Sequence, residues 1–297
     1  MGEVSVPSDK LWGAQTQRSF ENFKIGTERM PKEVIHSLGI LKLAAARANR
    51  SLIPKRMTED KLKFIEQAAL RVIDGSLEEH FPLVVWQTGS GTQSNMNLNE
   101  VISNLGNQLA GRKLLHPNDD VNMSQSSNDT FPTAMHLTAV LETEKSLIPS
   151  LDRLIGSFSR LEEENKGIVK SGRTHLEDAT PIAFSQEISG WRSSLERCRQ
   201  MILVSLEPLR ELAIGATAVG TGLNAPKDFD RTVAGEISKI TGSSFYSAEN
   251  KFHALSSKSE LVNAHGALKA LACDLMKIAN DIRWLSSGPR CGLGEIT

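Results

Sequence analysis

An apolar repeat near the end of the chain constrains the fold more than any other feature. Its members alternate three and four residues apart: Leu261, Ala264, Leu268, Leu271, Leu275, Ile278, Ile282 and Leu285. Residues 184–202 show a similar spacing, and residues 137–161 form a long seam that Pro149 is expected to kink. Such periods are typical of long helices packed at about 20° in a bundle, and helices of ~30 residues span ~45 Å. We therefore expect an all-α fold with a rod-like bundle that assembles with copies of itself.

Two shorter helices are predicted before this bundle. The first begins at Pro31 and stops near residues 49–54, and the second is capped by Thr58 and ends at Gly75. Residues 1–30 are expected to be mostly irregular, with a short helix near 15–23, and residues 81–86 could form a buried strand. The expected domains are an N-terminal helical domain with substrate loops at 1–125 and an incomplete central long-helix bundle at 126–297. The strand–helix alternation of nucleotide-binding α/β folds is missing.

Composition excludes several classes of function. Lys and Arg (34) balance Asp and Glu (35) without a basic run, so neither nucleic acid nor a membrane surface is an expected partner. No signal segment or membrane-spanning apolar run is present, and the chain is expected to be cytoplasmic. Cys198, Cys273 and Cys291 are odd in number and far apart, which predicts reduced thiols. No His, Cys or carboxylate cluster has ligand spacing, so no metal is expected.

The polar stretch from His116 to Thr133 predicts a loop followed by a helix. Residues 126–129 (SSND) are all N-cap types, and Pro132 suits a first helical turn. An ordinary cap needs only one such residue, so three of the four are expected to lack a structural role. Because exposed N–H groups at a helix start attract carboxylates, we favour anion binding over capping here.

Three other segments are candidates for the same site. Residues 87–95 form a polar loop with Gly89 and Gly91 that opens a helix at about 95–109, and the glycine-rich segment 215–224 is a further candidate. A third polar loop, residues 172–181, contains His175 beside two carboxylates, Glu177 and Asp178. A carboxylate partner could tune the pKa of His175 for acid–base work, although a lone loop histidine is more often simply solvated.

Several ordered motifs resemble class II fumarate hydratase, and the resemblance covers essentially the whole chain. The motifs are WQTGSGTQSNMN (86–97), HPNDDVN with SQSSND (116–129), GRTHLEDATP (172–181), GTGLN (220–224) and DLMKIANDIRWLSSGPRCGLGEI (274–296). The resemblance implies reversible hydration of fumarate to L-malate without a cofactor, in a homotetramer whose sites are shared between subunits. Aspartases of the same superfamily typically carry Ser-Thr-Asn-Asp where this chain has Ser-Ser-Asn-Asp.

The same resemblance implies roles for individual residues. Contacts to the substrate carboxylates fall on Ser90, Gly91, Thr92, Ser126, Ser127, Asn128 and Thr174. His175 becomes the acid–base residue, acting through a water. A second dicarboxylate site, separate from the catalytic one, falls on His116, Pro117, Asn118 and Asp119.

The sequence also departs from the family pattern. The family continues past Glu295 into a Gly-Ser-Ser-x-x-Met-Pro-x-Lys-x-Asn loop with the catalytic serine and a substrate-binding lysine, and this sequence stops at Thr297. We therefore expect an incomplete chain that is inactive alone and has no fixed cation among its three polar loops. Met123 stands where Lys or Arg is usual, and Glu177 where Gln is usual. The alternatives are an inactive structural bundle fragment and a sibling lyase such as aspartate ammonia-lyase.

Overall fold

A computed structural model describes residues 2–297 and is mostly helical, as the sequence predicts. Its helices are α1 (Ala14–Asn22), α2 (Lys32–Leu52), α3 (Glu59–Ile73), α4 (Thr92–Ala110), α5 (Ser127–Glu142), α6 (Ile148–Glu164), α7 (Phe184–Leu206), α8 (Phe229–Thr241), α9 (Lys251–Ser256) and α10 (Ser259–Leu285). Its strands are β1 (Val169–Thr174), β2 (Glu177–Ala183), β3 (Glu211–Leu212) and β4 (Tyr246–Ser247). Among residues 2–297, no helix has both the length and the apolar composition to cross a membrane.

The chain packs as two compact units. Unit 1 contains the residues up to Leu141 together with Leu209–Lys258, and unit 2 contains Glu142–Pro208 together with Ser259–Thr297. The chain therefore leaves unit 1 once and returns to it. The expected division into domains at residue 125 stays a prediction, and the two units are described separately below.

Helices α2 and α3 confirm the two shorter helices predicted before the bundle, and they pack against each other in unit 1. The hydroxyl of Thr58 accepts the Lys61 N–H at 3.4 Å, which makes it the predicted N-cap of α3. Leu38, Ile65 and Leu98 are completely buried where α2, α3 and α4 meet. Full burial of such a side chain contributes about 1.5–3 kcal/mol, so these apolar faces hold unit 1 together.

The beginning of the chain is anchored to unit 1 by one carboxylate. Glu100 of α4 accepts the N–H groups of Gly13 at 2.9 Å and Thr16 at 3.1 Å, at the start of α1. A carboxylate is stabilised there by the positive end of the helix dipole. The strand considered at residues 81–86 reduces to a single bridge between Arg29 and Val84.

Pro132 lies in the second turn of α5, so its expected place in the first turn was wrong. Proline has no N–H, and only the first turn has N–H groups without a helical acceptor. The carbonyl of Asn128 therefore lacks its usual donor from four residues on. Beyond α5, a π-helical turn at Thr143–Leu147 interrupts the long seam, and Pro149 lies in the first turn of α6.

Unit 2 is built on α6, α7 and α10, and its core confirms the apolar repeat. Ala264, Leu271, Ile278 and Leu285, each seven residues after the last, are buried along α10. Two other members of the repeat, Leu268 and Leu275, reach the surface and remain 37% exposed, whereas Ile282 packs against the core. With 27 residues, α10 is about 40 Å long at 1.5 Å per residue.

Three free thiols are present: Cys198 is buried, whereas Cys273 and Cys291 are exposed.

The third polar loop is a β-hairpin, not a loop, and this part of the sequence analysis was wrong. Strands β1 and β2 pair antiparallel from Val169 opposite Ala183 to Thr174 opposite Glu177. His175 and Leu176 form the turn with φ of 56° and 65°. Turns with two positive φ values are usually signalled by Asn-Gly or Asp-Gly, and this sequence has neither at the turn.

Candidate active site

Reciprocal hydrogen bonds cap the start of α5. The hydroxyl of Ser126 accepts the Asn128 N–H at 3.3 Å, and the Asp129 carboxylate accepts the Ser126 N–H at 2.9 Å. This resembles a capping box with aspartate at N3, except that the Ser126 hydroxyl accepts the N–H of N2 instead of N3. The Asn128 side-chain amide donates to the Ala218 carbonyl at 2.7 Å. Polar residues that were expected to lack a structural role therefore have one, and that expectation was wrong.

A chain of hydroxyl groups joins the start of α4 to the start of α5. The Ser90 and Thr92 hydroxyl oxygens lie 3.0 Å apart, and the Thr92 hydroxyl oxygen lies 2.9 Å from that of Ser127. Gly91 permits this approach, since its φ is 72° and a Cβ there would lie 2.1 Å from the Phe131 ring. Only glycine fits such a position without strain. The two helix starts are thus held together by hydroxyls and by one close backbone contact.

Asp129 holds the glycine-rich segment 215–224 against the start of α5 by hydrogen bonds. Its second oxygen accepts the N–H groups of Gly215 at 3.1 Å and Thr217 at 2.8 Å. The side chain is completely buried. Burial raises the pKa of Asp129 to about 6, while the N–H groups of Ser126, Thr217 and Gly215 and the charge of Lys42 oppose that shift. The buried carboxylate thereby orients a third segment of the chain.

These three segments enclose a cavity of about 380 Å³, which we call the serine–threonine cavity. Its lining is Thr92, Asn95, Met96, Asn122, Ser124, Gln125, Ser126, Ser127, Thr217, Ala218, Val219, Leu223 and Asn224. A second cavity of about 240 Å³ shares Ala218 with it and is lined in part by Gly89, Ser90, Asn128 and Lys258. The predicted substrate residues of unit 1 therefore cluster, with segment 215–224 facing the same space.

Lys42 is the residue that the sequence analysis missed. It lies on α2 with no exposed surface, and its ammonium donates to the side-chain oxygens of Asn122 at 2.9 Å and Gln125 at 3.0 Å. Burial lowers the pKa of Lys42 to about 7, and the charge of Asp129 opposes the shift. A signal was available, because Lys42 follows the buried Leu38 by one helical turn and a lysine on a core face is rare.

Unit 1 places two lysines beside these cavities, and both lie outside the three polar loops. In unit 1, the Lys42 ammonium lies behind the Asn122 and Gln125 side chains that line the serine–threonine cavity. Lys258 lines the second cavity and donates to the carbonyls of Leu255 at 3.0 Å and Ser257 at 2.8 Å. One lysine amino group therefore lies beside each cavity, and the pKa of about 7 makes the charge of Lys42 depend on pH.

Thr174 and His175 lie on the hairpin of unit 2, and their approach to the cavity stays a prediction. Thr174 ends β1, and His175 is exposed at the turn. The expected carboxylate partner is not found: Asp178 contacts Arg173 at 3.3 Å, and no carboxylate within residues 2–297 comes within 4.0 Å of the His175 ring. The hairpin presents the imidazole without orienting it by a hydrogen bond.

The residues of the expected second dicarboxylate site lie on a π-helical turn, Pro117–Val121, capped by His116. The His116 ring accepts the Asp119 N–H at 3.3 Å and lies 3.2 Å from the Asp119 carboxylate. His116 thus braces its own turn, and the second site stays a prediction. No group of three or more metal-binding side chains is found among the described residues 2–297.

Comparison with known proteins gives a consistent result over this whole structure. The family model described as Lyase matches residues 2–297. The chain is 60% identical to the class II fumarate hydratase of Oceanobacillus iheyensis over 301 residues, covering 100% of this chain and 65% of that protein. The Bacillus cereus counterpart is 58% identical, with 100% and 64% covered. A crystal structure of class II fumarase from Schistosoma mansoni superposes with a TM-score of 0.93 at 40% identity, over 98% of this chain and 65% of that one. The chain thus spans less than two thirds of these relatives.

Proposed function

Because the chain belongs to the lyase family and is homologous to class II fumarate hydratase, we propose that it hydrates fumarate reversibly to L-malate. The observation that carries the proposal is the serine–threonine cavity. Its hydroxyls at Thr92, Ser126 and Ser127 stand at two helix starts, where backbone N–H groups favour anions. A small dicarboxylate has the charge and the acceptor oxygens that such a lining binds.

The proposed chemistry needs strong stabilisation of negative charge. In the direction from malate to fumarate, a base removes a proton from the methylene carbon, and the electron pair left behind spreads into the adjacent carboxylate. That electron pair then forms the carbon–carbon double bond as the carbon–oxygen bond on the neighbouring carbon breaks, and the hydroxyl leaves as water after taking a proton from an acid. Donors that are already oriented stabilise the charge without reorganisation. We assign this task to the hydroxyls and N–H groups around Thr92 and Ser127.

We assign proton transfer to His175, acting through a water, with Thr174 as a further carboxylate contact. Support comes from the family resemblance of the GRTHLEDATP segment and from the exposed place of the imidazole at the hairpin turn. Imidazole is suited to proton transfer near neutral pH.

We further propose a homo-oligomer, a tetramer with sites shared between subunits. The apolar repeat of α10 supports it, since its members Leu268 and Leu275 stay 37% exposed and the adjacent Met276 is 65% exposed. Apolar stripes of this kind usually pack against another helix. Native mass measurement tests the proposal, and a monomer at micromolar concentration would contradict it.

We also propose a cytoplasmic location, which the three free thiols support.

The activity is tested with the product of the complete gene. L-malate is supplied, and fumarate is followed by its ultraviolet absorbance; the reverse reaction starts from fumarate in water. We expect fumarate to form and Thr92→Val to lower kcat/KM about tenfold, the size of one lost charge-assisted hydrogen bond. L-aspartate is supplied in parallel. Release of ammonia from aspartate without turnover of malate would contradict the proposal and favour the sibling ammonia-lyase.

A further inference from the structure

Lys42 is buried in a way that packing alone does not explain. It is among the largest of the fully buried side chains of the described residues, in the middle of α2. Burying an ammonium is costly unless it is paired, and an apolar side chain of similar length would pack there without that cost. The alternative to a packing role is that Lys42 acts on the serine–threonine cavity, whose wall it supports.

The partners of Lys42 are neutral and belong to the cavity wall. Its ammonium donates to Asn122 and Gln125, which together accept two of its three N–H groups. No carboxylate among the described residues lies within 4.0 Å of it. The opposing charge that raises its pKa is that of Asp129 of α5, whose oxygens already accept three backbone N–H groups. The positive charge of Lys42 is therefore only partly neutralised.

The ammonium also fixes the orientation of the amides. Because it can only donate, it requires the oxygen of each side-chain amide to point towards it. The Asn122 oxygen also accepts from Asn95 at 3.2 Å, and the Asn122 amide group donates to the Gln125 carbonyl at 3.2 Å. The Gln125 amide group donates to the carbonyls of Val121 at 3.2 Å and Met123 at 3.0 Å. Three amides that line or support the cavity thus depend on one charged group.

We propose that Lys42 is a positioning residue for the serine–threonine cavity, one that holds Asn122 and Gln125 and takes up a proton when a dicarboxylate binds. The inference rests on the proposed dicarboxylate site and adds the means by which its affinity responds to pH. A dianion in the cavity stabilises the charged form of Lys42 behind the wall. Binding and protonation are then linked, and each favours the other.

The direction of the effect follows from the charges around Lys42. Burial brings its pKa to about 7, so an empty cavity has a largely neutral amine above that pH and a charged one below it. A bound dianion raises the pKa, and affinity should weaken as pH rises from 7 to 9, on the order of tenfold per unit of pKa gained. Asp129, with a pKa of about 6, stays ionised over that range. The charge of Asp129 also acts on Lys251 of α9, and Lys251 is not among the groups that shift the pKa of Lys42.

Calorimetry with succinate, a dicarboxylate that cannot be hydrated, tests the proposal in the product of the complete gene. Heats of binding in buffers of different ionisation enthalpy give the number of protons taken up. We expect uptake of about half a proton at pH 7, tighter binding at pH 7 than at pH 9, and loss of both in Lys42→Met. Lys63→Met removes the same charge from α3, where Lys63 lies over Phe64, and should keep both.

Each outcome of the calorimetry either supports or overturns the inference about Lys42. Succinate binding without proton uptake in the unaltered protein would overturn the inference even if Lys42→Met fails to fold. Unchanged uptake in Lys42→Met would overturn it as well, and so would turnover of malate without any succinate binding. Proton uptake that depends on Lys42, combined with no conversion of malate, would keep the inference and refute only the proposed reaction.

Discussion

The two regions expected to handle the substrate, the serine–threonine cavity and the β1–β2 turn, are built in opposite ways. In the cavity, Ser127 bonds to Thr92 on another helix, and Asp129 bonds to the segment at Gly215. At the turn, the His175 ring makes no hydrogen bond to any residue within 2–297, and Leu176 is 74% exposed. Binding groups are thus oriented within one unit of the chain, whereas the orientation of the acid–base group is left open. Substitutions in the two regions should therefore affect different kinetic constants.

The largest effect is expected at the turn. His175→Asn keeps a polar side chain but removes proton transfer, so kcat should fall by about 10²–10⁴, with KM changed by less than about threefold. Steady-state kinetics of malate dehydration measure both constants. His265→Asn, an exposed histidine of α10, is the matched control and should leave both unchanged. A His175 variant with unaltered kcat would remove the turn from the reaction.

The next largest effect is expected from a substitution that breaks the contact between the two helix starts of the cavity and so lowers the unfolding free energy. Gly91→Ala places a methyl group 2.1 Å from the Phe131 ring at a φ of 72°, so the structure should lose about 2–4 kcal/mol of unfolding free energy. Gly89→Ala is the matched control in the same loop, because its Cβ meets nothing within 4 Å. Urea denaturation measures the difference. Equal midpoints for the two variants would show that the loop moves freely and that the cavity is not fixed.

The sequence predicted the parts of this comparison that depend on one element at a time. The repeat at Ala264, Leu271 and Ile278 follows from helix geometry alone, and α10 confirms it. The hairpin was missed because nothing in His175-Leu176 signals a turn with positive φ. Lys42 was missed because apolar spacing does not register a charged residue on a core face. The Thr92–Ser127 bond joins residues 35 apart in the chain, and no local pattern contains such a pairing.

A smaller effect concerns the dependence of stability on pH, and it involves two buried groups of unit 1, Lys42 and Asp129. Lys42 has a pKa of about 7 in the fold against 10.5 as an ordinary lysine, so the unfolded chain binds more protons between these values. The unfolding free energy should therefore rise from pH 7 to pH 9, on the order of 2 kcal/mol. Asp129, raised from 3.8 to about 6, makes stability fall as pH rises from 4 to 6. A minimum near pH 6–7 results.

Denaturation at pH 5, 7 and 9 measures this profile. Lys42→Met should lose the rise above pH 7 and keep the fall below pH 6. Lys63→Met, with the same change of charge on α3, should keep both limbs. A Lys42→Met profile that matches the unaltered protein would show that Lys42 is solvated in solution, which contradicts its burial.

Ser127→Ala gives the smallest effect and the sharpest distinction. The Ser127 hydroxyl lies 2.9 Å from that of Thr92, so its loss as a purely structural bond should lower the unfolding free energy by about 1 kcal/mol and leave KM unchanged. If the hydroxyl also binds a substrate carboxylate, KM should rise about five- to tenfold; we expect this second result. Ser189→Ala is the control: the Ser189 hydroxyl on α7 donates to the backbone carbonyl of Gln186 at 2.6 Å, so this variant also loses one serine hydrogen bond, in unit 2. Both variants lose one hydrogen bond of a serine hydroxyl. A rise in KM confined to Ser127→Ala would assign substrate binding to the cavity. Equal KM values would show that the hydroxyl chain only connects α4 and α5.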